Sequence, residues 1–250
     1  MQYVRIDRNG VPVWGVVQGA CIRTLTMAPY DGICYDGGAL PLAECTLLAP
    51  CTPSKIVCIG KNYYDHAVEM GEGVPERPVL FLKAPNTVNR PEGAIHAPAF
   101  VQRLDYEGEL AIVIKRRAKD VTPEHAADYI LGCTCLNDVT ARDIQKGDGQ
   151  WSRGKSMDGF APIGPLVTDE VNWADLAIQT RLNGSQVQES RTSRLMHPVP
   201  ELLAFITASM TLEPGDVIAT GTPAGVGNMC PGDTVEVEIE GIGILRNHIV

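Results

Sequence analysis

The feature that most constrains this chain is a pair of glutamates at the start of an apolar strand pattern. Glu107 and Glu109 flank Gly108, and the apolar run of residues 110–114 follows directly. Because side chains alternate along a strand, both carboxylates point to the same face. Two like charges in a partly buried place are costly unless a cation neutralises them or one takes a proton. The pair predicts a hard divalent cation, although a solvent-facing strand without a metal is the commoner interpretation of such a pair taken alone.

A second acidic segment favours the metal. Asp138 stands at a predicted strand end, and Arg142, Asp143 and Gln145 follow it. A packed core does not tolerate such a density of polar groups without partners. We therefore expect these side chains near the two glutamates, although Asp143 could simply pair with Arg142.

The overall charge indicates what kind of partner to expect. The 250 residues carry a formal net charge of -9, and there is no basic run, which argues against nucleic acid and anionic membranes and for a small-molecule partner. Since no apolar run approaches the roughly 18 residues of a membrane span and the N-terminus lacks the apolar core of a signal peptide, we expect a cytoplasmic protein. The eight cysteines are expected to be free thiols, with Cys133 and Cys135 filling the core.

Turn and periodicity signals divide the chain into a small N-terminal β subdomain, residues 1–52, and a main domain, residues 53–250. Helices are predicted at 61–70, 122–129 and 200–210, a lid at 71–78, and a long loop at 145–165. Strands are predicted in two hairpins, 3–17 and 178–189, and at 55–60, 78–83, 104–114, 130–136, 217–220, 234–240 and 244–250.

One motif is misleading. Residues 149–156 match the phosphate-loop pattern G-x-x-x-x-G-K-[ST]. That motif needs a buried strand before it and a helix after it. Because Met157-Asp-Gly-Phe-Ala-Pro162 brings Gly and Pro too early for a helix, we do not expect nucleotide hydrolysis.

Six ordered motifs carry a family resemblance over residues 53–250: Gly60-Lys-Asn-Tyr63 with Asp65-His66 and Glu69, Phe81-Leu-Lys83, Tyr106-Glu-Gly-Glu-Leu110, Asn137-Asp-Val-Thr-Ala-Arg-Asp-Ile-Gln145, Gly154-Lys-Ser156, and Thr220-Gly-Thr-Pro-Ala-Gly-Val-Gly227. By these the sequence resembles the fumarylacetoacetate hydrolase family. The resemblance implies an α+β, β-rich fold, a mixed β-sheet roll with few peripheral helices, usually as a homodimer.

The resemblance also implies roles for single residues. It implies Mg2+ or Mn2+ held by Glu107, Glu109 and Asp138, a water-activating dyad of His66 and Glu69, Lys155 beside the metal, and Arg142, Gln145 and Thr222 against the substrate.

Elementary chemistry is consistent with these roles. Three carboxylates without a nearby Cys or His cluster favour Mg2+ or Mn2+ over Zn2+. Lys155 would neutralise the charge that remains around a dication. His66 and Glu69, three residues apart, share a face of a helical turn and can hydrogen-bond. The glycine-rich stretch 221–227 is either an ordinary turn or a backbone wall that contacts a substrate oxygen.

The leading hypothesis is an enzyme in which the metal chelates a small 2-oxo acid and stabilises the enolate that forms as a C–C bond breaks. His66 would activate the water that releases pyruvate from an acylpyruvate such as fumarylpyruvate. The same site could instead decarboxylate oxaloacetate or isomerise 2-hydroxyhepta-2,4-diene-1,7-dioate. A non-catalytic ligand-binding protein on the same scaffold is the alternative of another class.

Overall fold

A computed structural model describes residues 1–69 and 75–250, and strands dominate it. The described residues form four α-helices, of which only the last is longer than two turns. The predicted helix at 200–210 is confirmed. The helices are α1 (Tyr64–Glu69), α2 (Arg142–Asp148), α3 (Ser152–Lys155) and α4 (Val199–Ser209), with 3-10 turns at Leu42–Glu44, Pro85–Thr87, Pro123–Tyr129 and Thr192–Arg194.

The N-terminal segment is a set of short antiparallel strands, as predicted. Its first hairpin turns at Asn9 and Gly10, whose φ angles of 55° and 82° match the left-handed pair that a two-residue hairpin loop requires. Tyr3 pairs with Val16 across this hairpin. The strands are β1 (Gln2–Arg8), β2 (Val11–Gln18), β3 (Cys21–Leu25), β4 (Tyr35–Pro41) and β5 (Thr46–Leu48).

These strands continue into the large sheet of the main domain, because β1 pairs with a strand from residues 161–168. The domain boundary near residue 53 stays a prediction. The other strands of this sheet are β6 (Ile56–Gly60), β7 (Val79–Lys83), β8 (Val88–Asn89), β11 (Gly108–Ile114), β12 (Ile130–Asn137), β14 (Ala161–Thr168) and β17 (Val217–Ala219), in the order β4-β3-β2-β1-β14-β12-β11-β17-β6-β7 with β5 beside β1 and β8 beside β14.

Two smaller sheets complete the fold. A three-stranded sheet consists of β13 (Thr140–Ala141), β10 (Leu104–Tyr106) and β18 (Gly227–Met229), and a five-stranded sheet consists of β16 (Ser185–Arg191), β15 (Ala177–Leu182), β19 (Thr234–Ile239), β20 (Gly243–Ile249) and β9 (Ala94–Ile95). Parallel pairing occurs at β6–β17, β8–β14 and β9–β20. The sheets are therefore mixed, as the family resemblance implies.

Alternation along β11 places two different cores on its two faces. Leu110 and Ile112 pack with residues of the five-stranded sheet and with α4. Ala111 and Val113 pack on the opposite face with N-terminal residues, among them Tyr3. Because Glu109 has the parity of Ala111, its carboxylate lies on this second face, at the end of the strand. Strand β11 thus places the Glu109 carboxylate at the edge of an apolar layer.

The predicted loop at 145–165 is wrong. Most of this segment is in α2, α3 and the start of β14. The two helices are too short to show an amphipathic period, and α2 ends at Gly149, whose φ of 70° forms a left-handed C-cap. Pro162 and Pro165 argued against a strand because proline lacks an N–H donor, yet β14 retains enough pairing with β12 through its other residues. The phosphate-loop match, residues 149–156, therefore falls on the turn after α2 and on the short helix α3.

Further segments of the chain can be compared with their predictions. Residues 123–129 form a 3-10 rather than an α-helix. Of the predicted lid at 71–78, residues 71–74 lie outside the described residues, which resume at position 75. Within the part of the chain that the structure describes, no helix is long and apolar enough to span a bilayer. All eight cysteines are free, and Cys133 and Cys135 are buried as predicted.

Candidate active site

Three carboxylates meet where β10 and β12 end and β11 begins. Glu107 lies between β10 and β11, and Asp138 follows β12 directly. Because Gly108 pairs with Asn137 across the two strands, Asp138 comes to lie beside the glutamates, and its backbone N–H donates to Glu107 O at 2.8 Å. Glu107, Glu109 and Asp138 are buried, and one oxygen from each lies within 4.8 Å of the others. The three predicted metal ligands are therefore together.

The chemistry of this cluster fits a hard divalent cation. All three donors are carboxylate oxygens, which Mg2+ and Mn2+ prefer. Glu109 accepts a hydrogen bond from the backbone N–H of Gly221 at 2.8 Å. Burial, together with Asp138 and Glu107, raises the pKa of Glu109 well above its ordinary value. A carboxylate held ionised at this position needs further positive charge, which a dication among the three ligands would supply.

Two buried lysines hold Asp138 from opposite sides. Lys155 Nζ donates to Asp138 Oδ2 at 2.6 Å and to Glu107 Oε2 at 2.8 Å. Lys83 Nζ donates to Asp138 Oδ1 at 2.5 Å and to Val139 O at 3.0 Å. Burial lowers the pKa of Lys155, but Asp138 and Glu107 outweigh it and the net change is a rise. For Lys83 burial prevails, and its pKa is lowered.

Lys83 is a residue whose role sequence reasoning missed. It belongs to the motif Phe81-Leu-Lys83, which by itself indicates no role for the lysine. A signal was available, because Lys83 ends the apolar strand β7, opposite the buried Ile56. A lysine that faces a core from a strand must find an anionic partner, and Asp138 provides it.

Arg142 lies among acidic groups on the other side of Glu107. Its guanidinium donates to Asp105 Oδ2 at 2.8 Å, to Glu107 Oε1, and to Gln145 Oε1 at 2.7 Å. Burial raises the pKa of Glu107, but Lys155 and Arg142 outweigh it, and the pKa falls below its ordinary value. Asp105, fully buried, is a second residue that the sequence reasoning did not single out.

The suggested pairing of Asp143 with Arg142 is wrong. Asp143 accepts backbone hydrogen bonds from Gln102 N at 3.1 Å and Arg103 N at 3.4 Å. Consecutive residues on a helix do not face each other. Arg142 is therefore directed toward the carboxylates while Asp143 caps a neighbouring loop.

The predicted dyad forms on α1. His66 Nδ1 lies 3.2 Å from Glu69 Oε2, and His66 is buried. The carboxylate of Glu69 also accepts from the backbone N–H of Gly225, with Oε1 at 3.0 Å. If Nδ1 carries the proton, Nε2 is left as an acceptor that can serve as a general base.

One cavity of about 250 Å3 joins these groups. Glu69 and Asp138 reach it through hydrogen bonds to His66 and Lys155. Its apolar wall contains Phe81 and Trp151, whose rings meet edge to face at 5.1 Å. The lining also includes the other predicted site residues and two more lysines: His66, Glu107, Glu109, Arg142, Gln145, Lys155, Thr222, Lys61 and Lys146.

Thr222 lines the cavity, but its hydroxyl is already used within the protein. It donates to Gly108 O at 2.9 Å and accepts from Gln188 Nε2 at 2.8 Å. Its single hydroxyl hydrogen is therefore taken. Contact between Thr222 and a substrate stays a prediction. In the structure the Thr222 hydroxyl links Gly108 to Gln188.

Comparison with known proteins identifies two matched regions. Residues 55–250 match the family model described as fumarylacetoacetate (FAA) hydrolase C-terminal, and residues 1–50 match one described as Rv2993c-like, N-terminal. A protein of Archaeoglobus fulgidus is 54% identical over 216 residues, which cover 86% of this chain and 86% of that relative. These matches confirm the resemblance seen in the motifs.

Two relatives have names that bear on chemistry. Oxaloacetate tautomerase YisK of Bacillus subtilis is 42% identical over 223 residues, covering 83% of this chain and 74% of the relative. The crystal structure of 2-hydroxyhepta-2,4-diene-1,7-dioate isomerase from Mycobacterium marinum superposes with a TM-score of 0.93 at 44% identity, covering 100% of this chain and 98% of that chain. The likeness to this and other solved structures confirms the predicted fold class.

Proposed function

The chain belongs to the fumarylacetoacetate hydrolase family, and we propose that it is a Mg2+- or Mn2+-dependent enzyme that moves a proton at the carbon next to the carbonyl of a small 2-oxo acid. The observation that carries the proposal is the sharing of one cavity by His66 and the carboxylates Glu107 and Glu109. A base and a site for enolate stabilisation are the two requirements of such a proton transfer.

The carboxylates and the dyad have distinct parts in this reaction. Glu107, Glu109 and Asp138 hold the metal, which when bound supplies a Lewis acid that stabilises negative charge on the 2-oxo oxygen. His66 takes the proton on Nε2 while Glu69 holds its Nδ1–H. The imidazolium then returns the proton to a different carbon or to oxygen.

Positive charge in the cavity favours an anionic substrate. Lys155 and Arg142 stand beside Glu107, and Lys61 and Lys146 add cationic groups to the lining. Gln145 is held by Arg142 at 2.7 Å. A 2-oxo diacid, with one carboxylate near the metal and the other near these lysines, complements this distribution of charge.

Tautomerisation or isomerisation is supported by the names of the two relatives, an oxaloacetate tautomerase and a dienedioate isomerase. Hydrolysis of an acylpyruvate is the second candidate. It is favoured by the family description and by the same dyad, since His66 could take its proton from water instead of from carbon. The homodimer and the cytoplasmic location expected from the sequence stay predictions.

A substrate panel tests the proposal. Oxaloacetate, an acylpyruvate and a 2-hydroxydienedioate are each followed with Mg2+, with Mn2+ and with a chelator, in the wild type and in His66→Ala and Glu107→Ala. We expect metal-dependent tautomerisation or isomerisation that Glu107→Ala abolishes and that His66→Ala slows by about 100-fold or more. Turnover of the acylpyruvate alone would replace isomerisation by hydrolysis. Metal-dependent decarboxylation of oxaloacetate without tautomerisation, or no turnover of any substrate, would contradict the proposal, and the second result would favour the non-catalytic alternative.

A further inference from the structure

Gln188 is a buried polar residue that lies outside the cavity yet contacts the strand of the metal ligands. It belongs to β16 of the five-stranded sheet, and only 2% of its surface is exposed. Its Oε1 accepts a hydrogen bond at 3.0 Å from the backbone N–H of Gly108. Gly108 stands between Glu107 and Glu109. The carboxamide of Gln188 is thus one residue away from two of the three ligands.

The other end of the same carboxamide holds the loop that follows β17. Gln188 Nε2 donates to Thr222 Oγ1 and to Pro223 O, both at 2.8 Å. Thr222 in turn donates to Gly108 O at 2.9 Å. One acceptor and two donors of Gln188 are therefore all used, and Gly108 is held through its N–H by Gln188 and through its carbonyl by Thr222.

This loop contacts both halves of the active site. The N–H of Gly221 donates to Glu109 Oε2 at 2.8 Å, and the N–H of Gly225 donates to Glu69 Oε1 at 3.0 Å. The loop therefore joins a metal ligand to the carboxylate that orients His66. The loop approaches β16 so closely that position 225 has no room for a side chain, because a Cβ atom added to Gly225 would lie 2.1 Å from Val187 O.

We propose that Gln188 is a positioning residue, whose carboxamide fixes the loop 221–225 against Gly108 and thereby sets Glu109 and Glu69 in their working positions. The inference rests on the proposed function, since it takes the three carboxylates as metal ligands and His66 with Glu69 as the dyad. The effect passes through hydrogen bonds, so Gln188 need not touch the substrate. Outer hydrogen-bond partners of this kind orient metal ligands in many proteins.

The chemistry of the amide explains why no other side chain of similar size serves. Glutamate would offer acceptors to Gly108 N–H but no donor to Thr222 or Pro223 O. Methionine has nearly the same volume but neither donor nor strong acceptor. Gln188→Met therefore removes the hydrogen bonds while it keeps the packing.

Direct measurement of Mn2+ binding tests the inference independently of turnover. The dissociation constant of Mn2+ is measured by the electron paramagnetic resonance signal of the free ion, for the wild type and for Gln188→Met. Loss of outer hydrogen bonds of a metal site typically weakens binding about 10–100-fold, and we expect a change of about tenfold or more here. We also expect kcat to fall while KM changes little, because Glu69 and His66 are displaced. Gln186→Met, an exposed residue of the same strand, is the matched control and should bind Mn2+ like the wild type.

A second pair of variants covers the case in which Gln188→Met does not fold. Thr222→Val removes the hydroxyl that joins Gln188 to Gly108, whereas Thr222→Ser keeps it. We expect Thr222→Val to weaken Mn2+ binding as Gln188→Met does, and Thr222→Ser to retain the Mn2+ affinity of the wild type. The double variant Gln188→Met/Thr222→Val should bind Mn2+ no more weakly than the weaker of the two single variants, because both substitutions act through one network.

The outcomes separate this inference from the proposed function. A wild-type chain that binds no Mn2+ would overturn the metal site itself. A wild-type chain that binds Mn2+ and turns over substrate, together with a folded Gln188→Met chain of unchanged affinity and kcat, would overturn the role of Gln188 alone. If Gln188→Met does not fold, equal Mn2+ affinity of Thr222→Val and Thr222→Ser would overturn it in the same way.

Discussion

At the scale of single residues, the site is a set of buried charges in which every member depends on its neighbours. Asp138 receives one lysine on each oxygen, from Lys83 at 2.5 Å and from Lys155 at 2.6 Å. Leaving one partner of a buried ion pair uncompensated is more costly than never having built the pair. The stability of the metal-free protein should therefore depend on residues that catalysis does not touch.

Lys83→Met should destabilise the metal-free protein by about 3 kcal/mol or more, the lower end of the usual cost of breaking a buried ion pair. The reason is that Asp138 would keep only Lys155 as a charged partner. Urea unfolding in the presence of a chelator measures the change, with the exposed Lys115→Met as control. Equal free energies of unfolding for the two variants would show that Lys83 contributes no net stability.

His66→Ala should lower kcat by about 100-fold or more, the usual contribution of a general base, and leave the affinity for Mn2+ unchanged because His66 is not a ligand. Glu69→Gln should have a smaller effect, since a glutamine can still accept from Gly225 N–H and from His66. Steady-state rates and Mn2+ titrations of the same preparations provide both quantities. A His66→Ala chain with the kcat of the wild type would show that His66 is not the general base.

Residue types and spacing predicted that Glu107 and Glu109 face one spot with Asp138 near them, and the family resemblance supplied the complete set of three ligands. The partners of the basic groups could not be predicted in this way. Lys83 and Asp138 come from elements far apart in the chain, and only the register of the sheet brings them together. The sequence suggests Asp143, the next residue, as a partner of Arg142, whereas the helix directs Arg142 to Asp105 and Glu107.

At the scale of elements, the strands with clear alternation or a two-residue turn were predicted almost to the residue. The segment 145–165 was not. Its helices of seven and four residues are shorter than the window in which an amphipathic period can be seen, and tertiary contacts select them. The strand β14 could not be predicted from the sequence because it contains Pro162 and Pro165. Sequence rules assign a proline to a loop, since the pairing of the neighbouring residues is not yet known.

Gly108→Ala should both destabilise the protein and weaken Mn2+ binding, because an added Cβ atom would lie 2.2 Å from Thr180 Oγ1. Threonine is too short and too constrained to move away. Gly147→Ala is the matched control, since a Cβ atom there has no neighbour within 4 Å, and in helix α2 it should stabilise by about 0.5–1 kcal/mol. Thermal unfolding and Mn2+ titration distinguish the two variants. Equal behaviour would mean that Thr180 of the five-stranded sheet does not restrict the backbone at Gly108.

At the scale of the whole molecule, the N-terminal strands and the strands of residues 53–250 share one sheet, joined where β1 pairs with β14. Tyr3 lies at this junction, with its hydroxyl 3.4 Å from Asp169 Oδ2. Burial and the negative charge of Asp169 raise the pKa of Tyr3 to about 12. An unfolded tyrosine has a pKa of about 10, so the folded state keeps its proton over an interval in which the unfolded state has lost it.

The free energy of unfolding should therefore fall as the pH rises from about 10 toward 12, because the unfolded state binds fewer protons there. Tyr3→Phe should show a smaller fall over the same interval, whereas Tyr64→Phe, at an exposed position, should follow the wild type. Urea unfolding at several alkaline pH values measures the slopes. A Tyr3→Phe slope equal to that of the wild type would contradict the assignment of this titration to the junction.

The central claim is that the metal carboxylates and the His66 dyad act together to move a proton on carbon. Nuclear magnetic resonance in D2O tests it most directly, by following deuterium incorporation at C3 of oxaloacetate or a related 2-oxo diacid in the presence of the protein. We predict rapid exchange with Mg2+ that a chelator or Glu107→Ala reduces to the rate without protein and that His66→Ala slows by about 100-fold or more. Exchange that proceeds at the wild-type rate in the His66→Ala chain or in the presence of the chelator would contradict it.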